Sequence, residues 1–472
     1  MKRGLFQIGV VLVGVLTFVG YGLVAFGHSG RKPPPQFAPR GLVLSTYVAS
    51  AAGGSTSLAQ APNGDVLVGG DGFVERLDPR TRRVLLRRSI LGRVNAIASD
   101  AAGDILFTGV GSPRGSRAGH GSSGNGYVAR VSGEGRIIYV HYFTPLGGTT
   151  PYALAVNSSG NAYVVGSTTT DRFPLIHPAV SAPHGRGGMA HVFIAQVDRI
   201  GHPVFSTVLG GSQSDEGRGV AVDPSGAVYA TGFTTSSDWP VSHSFARFQG
   251  PVDMFAAKLS PDGRHLLYNS LLGSETYGMG IAANTTGNAY LIAHDQSARF
   301  PMVHALQSNA HQADKTVIVE LSAAGDHIVF STYLGGTGSD EGHAIAIDPR
   351  GRLWMTGRTT STDFPTVHSG VTLYGGNTCS DAELVHPCHD AWVAEMSGNG
   401  KRLLYSAYLT GDHDDEGYAV SARKSGQVWV TGLTCSDDFP LLHALQASNT
   451  GRFNDACGGP ADGFLVEIRA GR

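Results

Sequence analysis

Charge is scarce in this chain. Asp, Glu, Lys and Arg make up only 15% of its 472 residues, and the formal net charge is −2. So balanced a chain sets up no long-range field, and it has no basic run long enough for a DNA-binding arm, so nucleic acid is not among the expected partners. Linear catalytic signatures are missing as well. There is no Gly-x-Ser-x-Gly elbow, no His-Glu-x-x-His, no phosphate loop and no dinucleotide fingerprint. A site built from one residue per repeat would leave no such motif, so these absences do not dispose of an enzyme. Cysteine is limited to four residues, all within the last hundred. None lies near the N-terminus, which excludes a lipid-anchored cysteine there.

The N-terminus has what the rest lacks, a long hydrophobic run. Lys2 and Arg3 precede an uncharged stretch over residues 5–27. About 20 apolar residues span a bilayer as a helix, whereas a cleavable signal has an apolar region of about 7–15. The length favours an uncleaved signal anchor over a secreted, cleaved form. The expected order is a cytoplasmic tail (1–4), a transmembrane anchor (5–27), a Pro-rich spacer (28–40) and one domain over 41–472. Arg31, Lys32 and Arg40 blur the charge asymmetry that would orient the anchor. The even number of cysteines breaks the tie in favour of an oxidising, extracytoplasmic compartment, with the domain on the periplasmic or extracellular side of the membrane.

Glycine is abundant, with 66 residues, and it falls at a repeating place. Seven segments share one pattern: APNGDVLVGG, DAAGDILFTG, NSSGNAYVVG, DPSGAVYATG, NTTGNAYLIA, DPRGRLWMTG and RKSGQVWVTG. In each, a polar turn with Gly leads into a β-branched or aromatic strand, the chemistry of a hairpin. The turn glycines are Gly64, Gly103, Gly160, Gly226, Gly287, Gly351 and Gly426. A third strand (VFIAQVD, MFAAKLS, VIVELS, WVAEMS) and a fourth (FSTVLGG, YNSLLGS, FSTYLGG, YSAYLTG) follow in repeats three to six. Four antiparallel strands every ~60 residues predict the blades of an all-β, seven-bladed β-propeller. The seventh repeat stops after its third strand, at residues 463–468, while residues 42–48 form an orphan copy of the fourth. The N-terminal strand is therefore expected to complete blade seven and close the ring, which removes two open edges.

Residues 330–365, FSTYLGGTGSDEGHAIAIDPRGRLWMTGRTTSTDFP, resemble the bacterial SBBP, or beta-propeller repeat, family of secreted and surface proteins. The resemblance extends over repeats three to seven and more loosely over the first two. It implies a propeller outside the cytoplasm and no particular reaction. The Ser-x-Asp-x-Gly-x-x-Trp boxes of sialidase-type propellers are absent.

Three loop features could carry function. Acidic pairs open the innermost strands of three blades: Asp215-Glu216, Asp340-Glu341 and Asp415-Glu416. They predict an acidic channel mouth suited to a hard cation such as Ca²⁺, or else carboxylates that cap turn amides and pair with neighbouring blades. No other cofactor is indicated. Aromatic-proline steps follow the second strands, at Phe173, Trp239, Phe300, Phe364 and Phe439, each four residues before a histidine (His177, His243, His304, His368, His443). Trp239, Phe364 and Phe439 are candidate recognition aromatics. Equivalent positions in blades rotated by about 51° lie about 10 Å or more apart, too far to share one metal held at about 2.1 Å, so the histidines are expected to satisfy loop amides or pack on the aromatic step. Finally, two long loops hold the cysteines. Cys379–Cys388 and Cys435–Cys457 are the favoured disulfides, with a zinc site from Cys379, His386, Cys388 and His389 as the alternative.

These features converge on a membrane-anchored scaffold that binds a protein, peptide or glycan through one loop-rich face. The alternative is a hydrolase or lyase acting on polysaccharide or peptide with the carboxylates of the channel mouth.

Overall fold

The short strands that the glycine turns bracket pair with their sequence neighbours, so the hairpin is the unit of construction. The computed structural model describes residues 39–48, 55–112, 125–144, 147–180, 188–242, 248–312, 314–369, 378–380, 385–424, 426–454, 457 and 459–470. The predicted anchor at 5–27, and all but the last two residues of the spacer, lie outside them. No helix among the described residues is long and apolar enough to cross a membrane.

Four sheets have four antiparallel strands in chain order. The first comprises Thr149–Val156, Ala162–Thr168, His191–Val197 and Pro203–Leu209. The same order recurs in sheets beginning at Asp215–Val222, Thr276–Ala283 and Asp340–Ile347. The fold is all-β and propeller-like. Where the first two repeats predict separate blades, hydrogen bonding runs on as one six-stranded sheet from Ser55–Gln60 to Ile137–Tyr142. The cause is a lost loop. Arg83–Ser99 is one long strand whose first half pairs with residues 73–78 and whose second half pairs with residues 105–109. It bends at Gly92, where φ is +121° and a β-carbon would lie 2.1 Å from the Val110 carbonyl oxygen, so only glycine fits.

The third strands of the four regular sheets are buried at every position. A strand covered on both faces needs a layer on each side. Those layers are the adjoining sheets. Ile194, Phe205 and Leu209 share a core cluster with Val228, Phe255 and Leu259 of the next sheet. Tyr229 and Met254 pack with Leu291 and Val317, and Ile318 and Phe330 with Met355 and Trp392. Trp354 and Val393 join Tyr47, Phe464 and Val466. One further cluster contains Leu44, Trp429 and Leu465 together with Leu58, Val66 and Val68 from the start of the domain.

The strand Leu42–Val48 pairs antiparallel with Gly459–Arg469, with Ser45 opposite Val466 and Tyr47 opposite Phe464. Its other contacts copy those of a fourth strand. Ser45 bridges Leu442, as Ser206 bridges Ile176 and Ser331 bridges Val303. Tyr47 is 1% exposed and donates its hydroxyl to the Ser436 carbonyl at 2.9 Å. Tyr47→Ala is therefore expected to lower the unfolding free energy by about 3–5 kcal/mol, the usual cost of emptying a buried aromatic site. Urea denaturation measures this, and a loss below about 1 kcal/mol would mean that the first strand is dispensable.

Candidate functional site

Every innermost strand carries a register shift at the same place. The pairing slips between Gly217 and Gly219, between Gly278 and Gly280, between Gly342 and Ala344, and between Gly417 and Ala419. Pro151/Ala153, Val94/Ala96 and Ser55/Ser57 match them. A β-bulge leaves one residue unpaired and re-aims its side chain. The residues so released include Asn95, Tyr152, Arg218, Met279, His343 and Tyr418. All six line one cavity of about 630 Å³, together with Arg93, Val110, Thr150, Arg358 and Glu416.

The facing strand makes the bulge possible. A β-carbon at Gly232 would lie 1.9 Å from the Glu216 carbonyl oxygen, and one at Gly357 would lie 1.8 Å from that of Glu341. The glycine that ends most of the repeated turn segments is thus the seat of the bulge. That glycine is the sequence signal for the cavity-lining residues, which lie just after the acidic pairs.

Strand alternation splits each acidic pair. The aspartates turn into the loop and are fully buried. Asp215 accepts from the Gly211 amide at 3.0 Å and lies 3.2 Å from His191 Nδ1. Asp340 accepts from the Gly336 amide (3.1 Å), the Ser361 hydroxyl (3.0 Å) and Lys315 Nζ (2.7 Å). Asp415 accepts from the Gly411 amide (2.7 Å) and the Ser436 hydroxyl (3.0 Å). Burial raises the Asp340 pKa despite its lysine. It raises that of Asp415 well above the ordinary carboxyl value, and the nearby charge of Asp390 adds to the effect.

The glutamates turn toward the axis, where each meets an arginine. Glu216 pairs with Arg218 at 2.8 Å. Arg358 bridges Glu341 (2.9 Å) and Glu416 (2.8 Å), tying two successive sheets together. Burial works to raise the Glu341 pKa, but the His343 ring at 3.9 Å and the Arg358 guanidinium hold it well below the usual carboxylate range. Burial, and then the charge of Glu416, pushes the Tyr418 hydroxyl far up. The mouth is therefore not the acidic ring that the Asp-Glu pairs predict. Its three glutamates are paired, Glu216 with Arg218 and both Glu341 and Glu416 with Arg358, while Arg93 stands at the glutamate position of the second repeat and has Asp71 at 3.6 Å. Among the described residues, no group of three or more His, Cys, Asp or Glu side chains is arranged to hold a metal ion.

The aromatic steps are structural. Trp239 (4% exposed), Phe364 (3%) and Phe439 (0%) do not present a recognition surface. They plug the sheets against Phe255, Trp392 and Phe464 at ring separations of 4.7, 5.2 and 4.8 Å. Burying an aromatic at the rim outweighs exposing it, since the loop closes over the end of the sheet. Three of the histidines that follow lie against strand carbonyls rather than loop amides. His177, His304 and His443 set Nδ1 at 3.3, 3.2 and 3.1 Å from the carbonyls of Val204, Val329 and Val43. His243 lies outside the described residues.

Both favoured disulfides are present, Cys379–Cys388 and Cys435–Cys457. The zinc alternative needs Cys379 and Cys388 as thiolates and fails for that reason. His389 sets Nδ1 3.1 Å from Asp414 Oδ1 instead, and the His386 side chain lies outside the described set.

Asp415 supplies a pH test. Its folded pKa is raised, so ionisation is penalised in the folded state, and stability falls as the pH rises from the ordinary carboxyl range through the elevated value. Asp415→Asn removes that charge. The melting temperature of the variant relative to wild type is expected to climb as the pH rises from the ordinary carboxyl range through the elevated one. Parallel melting curves across that range would refute the assignment.

A search of curated proteins finds no match to this sequence. Among solved structures, the chain is similar to hydrazine synthase of Kuenenia stuttgartiensis, at 12% identity and a TM-score of 0.51, covering 82% of this chain and 94% of that one. It is also similar to the β-propeller domain of Cps50 (Swd1) of Myceliophteria thermophila, at 9% identity and a TM-score of 0.49, covering 91% and 100%. At such identities the likeness concerns the fold alone. Residues 138–174 and 329–365 match the family model of the SBBP beta-propeller repeat, and the chain is thereby one that carries SBBP repeats at two places.

Proposed function

We propose that this chain is a closed, seven-bladed propeller, held outside the cytoplasm by the apolar segment 5–27, that binds a protein, peptide or glycan ligand at its channel mouth. A propeller fold suits a scaffold or interaction role in general. The blade count draws support from the seven bulged inner strands among the described residues. Closure draws support from the fourth-strand contacts of Leu42–Val48 and from the apolar cluster that joins the first strands of the domain to the last. The two disulfides favour an oxidising compartment.

The observation that carries the binding reading is the convergence of one bulged residue from each of six inner strands on a single cavity of about 630 Å³. That volume suits small-ligand recognition, where pockets measure about 300–1,000 Å³. The hydrolase alternative needs a carboxyl group that keeps its proton near neutral pH. Glu341 is held ionised by His343 and Arg358, which disfavours it in that role.

Met279→Trp is the direct test, because it fills the cavity from a half-buried position. With the detergent-solubilised full-length protein on peptide and glycan arrays, the variant is expected to lose at least about tenfold in affinity for whatever wild type retains, because the indole takes up volume the ligand would occupy. Unchanged binding would move the ligand elsewhere on the molecule. Turnover of a bound glycan that disappears in Glu416→Gln would establish the hydrolase instead.

A further inference from the structure

The charges that reach the cavity differ from those of the mouth as a whole. Three guanidinium groups line it, those of Arg93, Arg218 and Arg358, against one carboxylate, that of Glu416. Glu216 and Glu341 do not line it and are each paired with an arginine that does. A concave, partly desolvated surface with an excess of one sign focuses its field on whatever enters.

Each of these arginines keeps donors that the protein does not use. A guanidinium offers five N–H groups. Arg93 is 57% exposed at its side chain and has Asp71 as an ion-pair partner only at 3.6 Å, and burial weakens Asp71 as a counter-ion by raising its pKa. Arg218 lies over the Tyr152 ring at 4.6 Å and the Phe233 ring at 5.8 Å, which fixes its plane. The Nε groups of Arg218 and Arg358 are buried and have no hydrogen-bond partner among the described residues. Arg93, Tyr152 and Tyr418 line the same cavity, so these groups share one space.

We infer that the channel mouth is an oxyanion site, taking a carboxylate or phosphate group carried on a compact polar ligand of about sugar size, with Arg93 as the principal charge partner. Planar guanidinium groups match carboxylate and phosphate oxygens in pairs, which a lysine would not, and ring stacking holds that of Arg218 in place. Thr150 and Asn95 line the same space and supply neutral polar contacts beside the anion. The inference rests on the binding reading and narrows it to one ligand chemistry.

A matched series on one scaffold tests it: glucuronate, glucose 6-phosphate, glucose and glucosamine, titrated calorimetrically into the full-length protein at low salt. Both anions are expected to bind at least about tenfold more tightly than the neutral and cationic sugars, and to weaken as salt is added. Arg93→Gln is expected to reduce anion binding about tenfold while leaving the melting temperature unchanged, since its side chain is mostly exposed. The stronger anion of the two identifies the group as carboxylate or phosphate. Equal binding of glucose or glucosamine, anion binding that survives Arg93→Gln, or no anion binding at all would overturn the oxyanion assignment. None of these would touch the broader reading, which fails separately if array ligands still bind the Met279→Trp protein.

Discussion

Each sheet of this protein has two apolar faces and can cover neither by itself. The fully buried third strands, such as His191–Val197 and Lys315–Leu321, state that constraint in its plainest form. A neighbour on each side is required, and the core clusters show neighbours supplying it in succession, with Phe205 and Phe255 in one cluster, Phe330 and Trp392 in another, and Trp354 and Phe464 in a third. Apolar burial of this kind, at about 25 cal/mol per Å², is the main favourable term. Its geometry also decides what the loops do. The aromatic of each aromatic-proline step is drawn into the gap at the rim of a sheet, so residues that look available for recognition become part of the core.

Stacking sheets around an axis brings their inner strands close, and the inner strands respond with a bulge. The extra residue turns a side chain out of the alternation and into the central space. A glycine on the second strand, such as Gly232 or Gly357, lets the bulged backbone lie over it. The chemistry of the mouth follows from that displacement. Aspartates that continue the alternation are buried against loop amides. Glutamates one residue later face the axis but are neutralised by Arg218 and Arg358. Bulged residues beyond them, Tyr152, Arg218, His343 and Tyr418, form the surface that a ligand would meet.

Repeat equivalence is also the means by which an outlier can be understood. Leu42–Val48 stands at the opposite end of the chain from its partner, yet its contacts are those of any fourth strand, including the carbonyl of Val43 that receives His443 as Val204 receives His177. The first repeats deviate in the other direction. Their connecting loops have shrunk until strand, bend and strand run on as one, and the Gly92 bend is what remains of the link.

Much of the fold was legible in the chain because its causes are local: Gly64 to Gly426 mark turns that need positive φ, and the strands between them carry side chains suited to a half-buried surface. The disulfide partners were legible too, since each pair shares one loop. The site was legible only in part. Asp215, Asp340 and Asp415 could be found by spacing, but whether they face the axis or the loop depends on a register set by the adjoining strand. Likewise, the pairing of Arg358 with Glu416 crosses from one sheet to the next, and the burial of Trp239, Phe364 and Phe439 is decided by neighbours far away in sequence. Local chemistry determined the units and their order. Packing between units decided which side chains are exposed, which are paired, and which charges reach the channel, because burial and register are properties of neighbours and not of any one segment.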